Sequence, residues 1–160
     1  MDRPQIWGPV LWSVLHTSAE HLGKPQPAII EKDEVVKWIL LLKSVEFILP
    51  CSVCKEHYHK WLAKHPIIQF DTLRGMELRE RARLWLYKLH ENVNGDKGVE
   101  SGIALEDIPG RYGSLVTYKE NVEKLLGLLK ANIQSGKLKA EATWVFRSNL
   151  QYLRKLSGSI

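Results

Sequence analysis

Residues 47–58 read Phe47-Ile48-Leu49-Pro50-Cys51-Ser52-Val53-Cys54-Lys55-Glu56-His57-Tyr58, and the proline before the cysteines divides two helical patterns. Upstream, Val35, Ile39, Leu42, Glu46 and Leu49 fall near one stripe, which predicts a helix from Glu31 to Leu49 that Pro50 ends. Downstream, Cys51 to Lys64 predicts a third helix, closed by Pro66. The cysteines thus stand at a helix start. There the second sulfur is expected in the first turn, where unpaired backbone N–H groups and the macrodipole favour a thiolate. They are the only two cysteines in 160 residues, so the chain can build neither a disulfide scaffold nor a four-thiolate metal site. A C-x-x-C pair reads as a redox dithiol or as half of a zinc site, and His57, His59 and His65 keep the metal reading open.

The flanking sequence is helical in the same way. Trp7, Leu11, Val14, Leu15 and Ser18 recur at three- and four-residue steps and predict a helix over 7–22, with Pro9 tolerated in its first turn. Gly23-Lys24-Pro25-Gln26-Pro27 stops it. Asp71 or Thr72 caps a fourth helix that runs through Trp85 to about Val93, and Asn94-Gly95-Asp96-Lys97-Gly98 carries turn chemistry. No stretch alternates apolar and polar residues for long enough to argue for a sheet, so the expected fold is all-α, a small helical bundle. Beyond residue 98, Gly102, Pro109, Gly110 and Gly113 mark an irregular connector. Two further helices are predicted over 115–133 and 138–156, as added bundle helices or a docking surface.

Bulk composition narrows the function classes. Hydrophobic residues at 44% and charged residues at 26% are ordinary for a folded domain and exclude overall disorder. The first residues carry no apolar segment of signal-peptide length, and the longest apolar stretch, Trp38 to Leu42, is too short to span a bilayer. Secretion by the chain's own signal and a membrane partner are therefore not expected. The net charge of +5 is scattered among acids, as in Lys32-Asp33-Glu34 and Arg79-Glu80-Arg81. That pattern reads as solvated helix faces rather than a nucleic-acid surface.

Three blocks on successive helices carry the chemistry. In Trp7-Gly8-Pro9-Val10-Leu11-Trp12-Ser13-Val14-Leu15-His16, Trp12 and His16 share a helix face at i and i+4. The second block is Pro50 to Tyr58, extended by Trp61. The third is Leu84-Trp85-Leu86-Tyr87-Lys88-Leu89-His90-Glu91-Asn92-Val93-Asn94, where His90 and Asn94 are again four apart. Taken singly, each reads as core aromatics with a satisfied histidine. In this order they resemble the Erv/ALR family of FAD-linked sulfhydryl oxidases, with its WGxxxWxxxH helix, PCxxCxxH redox segment and HNxVN segment. The resemblance covers about residues 6–95. Glu91 stands where that family has its first Asn, and Lys97 is out of register with the family's later basic residue.

The resemblance implies a four-helix bundle holding FAD in residues 1–98, with additional C-terminal helices in 99–160 to which no catalytic part is assigned. It implies Cys54 as the flavin-proximal sulfur and Cys51 as the sulfur that exchanges with substrate. It implies Trp7, Gly8, Trp12, His16, His57, Tyr58, Trp85, His90, Val93, Asn94 and Lys97 as cofactor-binding residues. A flat isoalloxazine and an adenine need such aromatic or apolar walls with a few hydrogen-bonding groups. No GxGxxG fingerprint is present, so a Rossmann-type dinucleotide fold is not expected. The implied activity oxidises protein thiols and passes electrons to O2, giving hydrogen peroxide. Without a second C-x-x-C to relay electrons, a thiol-containing protein, plausibly thioredoxin-like, must reach Cys51 directly. Family members pair through their first helices, which implies a homodimer. The shortest cysteine-poor members belong to large DNA viruses, which implies a viral origin and a place in host cytoplasm or virion. The competing readings are a helical interaction domain stapled by zinc on Cys51, Cys54 and nearby histidines, and a helical interaction protein with incidental thiols.

Overall fold

Seven helices account for most of residues 4–99 and 102–159, the parts of the chain described by a computed structural model. They are α1 (Pro4–Glu20), α2 (Ala28–Ser44), α3 (Ser52–Lys64), α4 (Gly75–Asp96), α5 (Ile108–Tyr112), α6 (Leu115–Gln134) and α7 (Ala140–Ser157). Short 3-10 turns at Val45–Ile48, Ile67–Phe70 and Leu105–Asp107 join them. The all-α expectation is met. Among the described residues every regular element is helical, and no helix is long and apolar enough to cross a membrane.

Pro66 and the Gly23–Pro27 stretch end helices where expected, whereas α4 begins later than the expected cap at Asp71 or Thr72, with Arg74 at its N-cap and no side chain closing it. Helix α1 starts at Pro4, so Pro9 lies in its interior and deprives the Gln5 carbonyl of a helical partner. Gln5 is exposed, so water can serve that carbonyl. At Gly23 the backbone turns with φ +76°, and a Cβ there would stand 2.0 Å from the carbonyl oxygen of Gly75, so only glycine fits. The predicted helix over 31–49 is shorter at its end: α2 stops at Ser44, and the chain tightens into a 3-10 turn before Leu49 goes extended at φ −77°, ψ 121°. The predicted turn at Asn94–Gly98 is mostly helix, because α4 continues through Asp96.

One core spans the chain. Trp38, Tyr58, Trp61, Phe70 and Trp85 form edge-to-face contacts that join α2, α3, α4 and the turn at Ile67–Phe70, with ring centroids 6.1–6.5 Å apart. The C-terminal helices belong to the same core: α6 packs on α1 and α7 on α2, and Tyr118, Val122, Leu125, Phe146, Leu150 and Leu153 are buried in one cluster with Val14, Val35 and Leu42. Burying each such side chain contributes about 1.5–3 kcal/mol. Every residue of α1 from Val14 to Glu20 is buried, so that stretch is enclosed on all sides. Ser18 and Glu20 find partners in the surrounding helices. Ser18 Oγ and Tyr118 OH share a hydrogen bond of 2.7 Å, and Arg83 donates to both carboxylate oxygens of Glu20 at 2.8 Å.

Candidate active site

The cysteine pair is placed by the abrupt change of backbone between α2 and α3. Cys51 is extended, at φ −123°, ψ 120°, and forms the N-cap of α3. Its Sγ accepts the backbone N–H of Cys54 at 3.3 Å. Burial pushes the Cys51 thiol up, but hydrogen bonds from the Cys54 thiol and from the backbone N–H groups of Cys54 and Val53 outweigh it, and its pKa is lowered. Burial, and then the hydrogen bond to Cys51, push Cys54 up to about 12, against a smaller opposing pull from the Lys97 ammonium. This corrects the expectation that the second sulfur is the favoured thiolate. The helix start holds the first sulfur, because the cap residue rather than the first-turn residue receives the free N–H.

Cys54 lines a cavity of 320 Å³. Trp7, Gly8, Leu11 and Trp12 of α1, Val53, His57 and Tyr58 of α3, and Leu89, Val93, Asp96 and Lys97 around the end of α4 complete most of its walls. At Gly8 nothing lies within 4 Å of where a Cβ would stand, so the wall is open there. Tyr58 presents its ring, since its hydroxyl donates to the Leu42 carbonyl and burial raises its pKa. A second groove of 480 Å³ adjoins through the shared residues Val53, His57 and Asp96, and adds Glu56, Lys60, Trp61, Lys64, His65 and Asn92. His57 Nδ1 lies 3.1 Å from the Asp96 carboxylate between the two spaces. Trp7 Nε1 in the first cavity and Trp61 Nε1 in the second are buried donors that, among the described residues, have no acceptor. Aromatic walls, one cation and unused donors suit a flat ligand carrying acceptor atoms, and FAD is such a ligand.

Other expected residues stand elsewhere. His16 and His90 share a hydrogen bond of 3.2 Å behind the cavity wall, with Trp12 stacked on His90 at 4.0 Å and Tyr112 stacked on His16 at 4.5 Å. Burial, and then the neighbouring His90, lower the pKa of His16 to about 3, and burial lowers that of His90 to about 4, so both rings are neutral. Trp85 sits in the aromatic core and donates to the His65 carbonyl at 3.3 Å, outside the cavity lining. Asn94 lies outside it too, with its carbonyl accepting the N–H groups of Lys97 and Val99. The histidines of the zinc reading are engaged apart from one another: His57 faces Asp96, His59 bonds Glu46 at 2.7 Å and His65 stacks on Trp61 at 3.6 Å. Among the described residues no three His, Cys, Asp or Glu side chains converge as metal ligands.

Among the residues not expected at the site, Asp96 and the apolar Leu11, Val53 and Leu89 line the cavity, Tyr112 stacks on His16 behind it, and Trp61 lines the adjoining groove. Trp61 carried a signal, standing four residues after His57 on one helix face. Asp96 was hidden by the turn-like Asn-Gly-Asp sequence, and nothing local marks Tyr112.

The profile of the Erv1/Alr family matches residues 9–106, more than half of the chain and nearly all of the residues just described. The chain belongs to that family. Among curated proteins, two FAD-linked sulfhydryl oxidases from African swine fever virus isolates are 36% identical over 90 residues, covering 55% of this chain and 65% of each relative. The chain therefore spans just under two thirds of the length of those relatives. A protein of Acanthamoeba polyphaga mimivirus described as a "probable FAD-linked sulfhydryl oxidase" is 25% identical over 144 residues, covering 89% of this chain and 81% of that protein. No solved structure matches the chain. The Erv1/Alr match takes in both cysteines and most of the cavity, whereas Tyr112 and helices α6 and α7 lie beyond it.

Proposed function

We propose that this chain is an FAD-dependent sulfhydryl oxidase that makes disulfide bonds in protein substrates. The observation that carries the reading is the division of labour between the sulfurs: Cys51 caps the helix with its pKa lowered, and Cys54 lines the aromatic-walled cavity. A substrate thiolate attacks Sγ of Cys51 in the Cys51–Cys54 disulfide, forming a mixed disulfide while Cys54 leaves with the bonding electron pair. A second substrate thiol then attacks the mixed disulfide, releasing oxidised substrate and leaving both cysteines reduced. FAD, when bound in the cavity, supplies the two-electron acceptor that restores the disulfide and passes the electrons to O2 as hydrogen peroxide. Trp7, Trp12 and Tyr58 would bracket the flat ring system, Gly8 leaves it room, and Lys97 offers a cation to Cys54 and to the cofactor. The groove around Lys60, Trp61 and His65 would take the rest of the dinucleotide, and His16 and His90 hold Trp12 in place.

The substrate in this reading is a thioredoxin-like thiol protein that docks at Cys51. Residues 1–98 carry the chemistry in this reading, and 99–160 enclose α1 and α2. A homodimer belongs to this reading, and with Val14–Glu20 buried within one chain, the part of the first helix left for pairing is its exposed first half, around Gln5, Ile6 and Pro9. Work in host cytoplasm or virion belongs to this reading; the relatives supply only their viral source. The test is direct. Purified protein should be yellow, release FAD on denaturation and oxidise dithiothreitol with uptake of O2; a colourless protein holding one zinc per chain overturns the proposal.

A further inference from the structure

A groove of 490 Å³ lies between α6 and α7, far from the cysteines in sequence, within the size range of small-molecule sites. Its floor is apolar, built on the buried Val122 and Leu150. Its rim is cationic: Lys119 of α6 faces Arg147 and Arg154 of α7, and among the described residues no carboxylate lines it. Arg147 and Arg154 are seven residues apart, two helical turns, so both fall on one face. The chain then folds back over this face. Gly158, at φ +84°, caps α7 in the left-handed conformation, and Ser159 N–H bonds the Arg154 carbonyl at 3.1 Å. Ser159 is left only 9% exposed and in the groove wall.

Two donors in this wall are unused. Arg154 Nε and Ser159 Oγ are buried and, among the described residues, have no hydrogen-bond partner. A buried donor without an acceptor is costly, and native proteins seldom leave such groups unmet. Arginine presents a planar fork suited to two oxygens of one acid group. We infer that the α6–α7 groove binds a small organic oxyanion, with its carboxylate or phosphate on Arg154 and Ser159 and an apolar body over Val122 and Leu150. Lys119 and Arg147 supply long-range attraction. The site shares no residue with the Cys54 cavity and stands whether or not the oxidase reading does.

The experiment uses the full-length protein as purified and follows the arginine Nε–H resonances by NMR during titration with phenyl phosphate, benzoate, inorganic phosphate and neutral benzyl alcohol. The expected result is a saturable shift of the Arg154 Nε–H with phenyl phosphate or benzoate, a weaker one with inorganic phosphate and none with benzyl alcohol. The stronger of the first two identifies the acid group. Arg154→Gln should weaken binding on the order of tenfold or more, the loss of one charged hydrogen-bonding fork. Arg147→Gln, at an exposed position that folding tolerates, should weaken it a few-fold. No saturable response to either acid at about 10 mM, a range that reaches millimolar affinity, means that water alone fills the groove and overturns the proposal. Equal affinity in folded Arg154→Gln overturns it as well.

Discussion

The Sγ of Cys51 accepts the backbone N–H of Cys54 at 3.3 Å, which makes the first cysteine the cap of α3 and leaves the second facing the cavity. The same bond separates the two acidities: the thiolate is stabilised at Cys51, and Cys54 holds its proton. In the reduced protein, iodoacetamide at neutral pH should therefore label Cys51 first, by at least tenfold in rate, because only the thiolate reacts. Peptide mass spectrometry of a time course reads the order. Cys54 labelling first would show that the cap does not govern reactivity.

Each cysteine should be indispensable to turnover in its own way. Cys54→Ser should stop dithiothreitol oxidation while keeping bound flavin, and its Cys51 thiolate, offered a substrate that already carries a disulfide, should attack it, release one substrate thiol and hold the other as a mixed disulfide that no Cys54 is present to resolve. Cys51→Ser should stop turnover without trapping substrate. Undiminished oxygen uptake in either variant, measured with an oxygen electrode, removes that cysteine from the mechanism.

The Glu20–Arg83 pair joins α1 to α4 with both side chains largely out of solvent, at 5% and 19% exposure. Arg83→Ala leaves the Glu20 carboxylate buried without its partner and should cost about 3 kcal/mol. Urea denaturation measures it. A midpoint unchanged from wild type would mean that water replaces the guanidinium at no cost.

Stability should fall as the solution is acidified. His16 and His90 are held neutral by burial, at about 3 and about 4 against an ordinary 6.5, so between those values the unfolded chain binds protons that the fold does not. The stabilisation is complete above pH 6.5 and is lost as pH falls towards 4 and then 3. His16 alone should contribute about 1.4 kcal/mol per pH unit in that window. His90, partly exposed, adds less. Urea midpoints at pH 7 and pH 5 test this, and His16→Gln should flatten the slope; a flat wild-type profile would show that the pair is hydrated.

Deleting residues 99–160 removes α6 from α1 and α7 from α2, along with the Ser18–Tyr118 and Ser13–Asn121 hydrogen bonds, and uncovers the faces those helices bury. The shortened chain should aggregate, or self-associate through the newly exposed faces of α1 and α2. A soluble monomeric fragment with native helix content, seen by sedimentation and circular dichroism, would show that the first four helices stand alone.

Much of the architecture was legible because helix punctuation is local chemistry. Pro66 and the Gly23–Pro27 stretch stop helices through their own backbone geometry, Pro50 holds Leu49 extended beyond the end of α2 at Ser44, and the i, i+4 spacing of Trp12 and His16 placed both on the side of α1 that meets α4. The solitary C-x-x-C, with no other thiol available, likewise announced itself as a unit. Three matters required neighbours distant in the chain. Whether Asn94-Gly95-Asp96 turns or stays helical is a contest that local propensity does not settle, and the continuation of α4 brings Asp96 and Lys97 to the cavity. Which sulfur receives the free N–H depends on the extended backbone at Leu49 and Cys51, set by where α2 ends against α7 and the turn at Val45–Ile48. What covers α1 and α2 was equally out of reach. Periodicity states which face of a helix is apolar, but burial is non-directional, and only the folded packing assigns α6 and α7 as the surfaces that meet those faces.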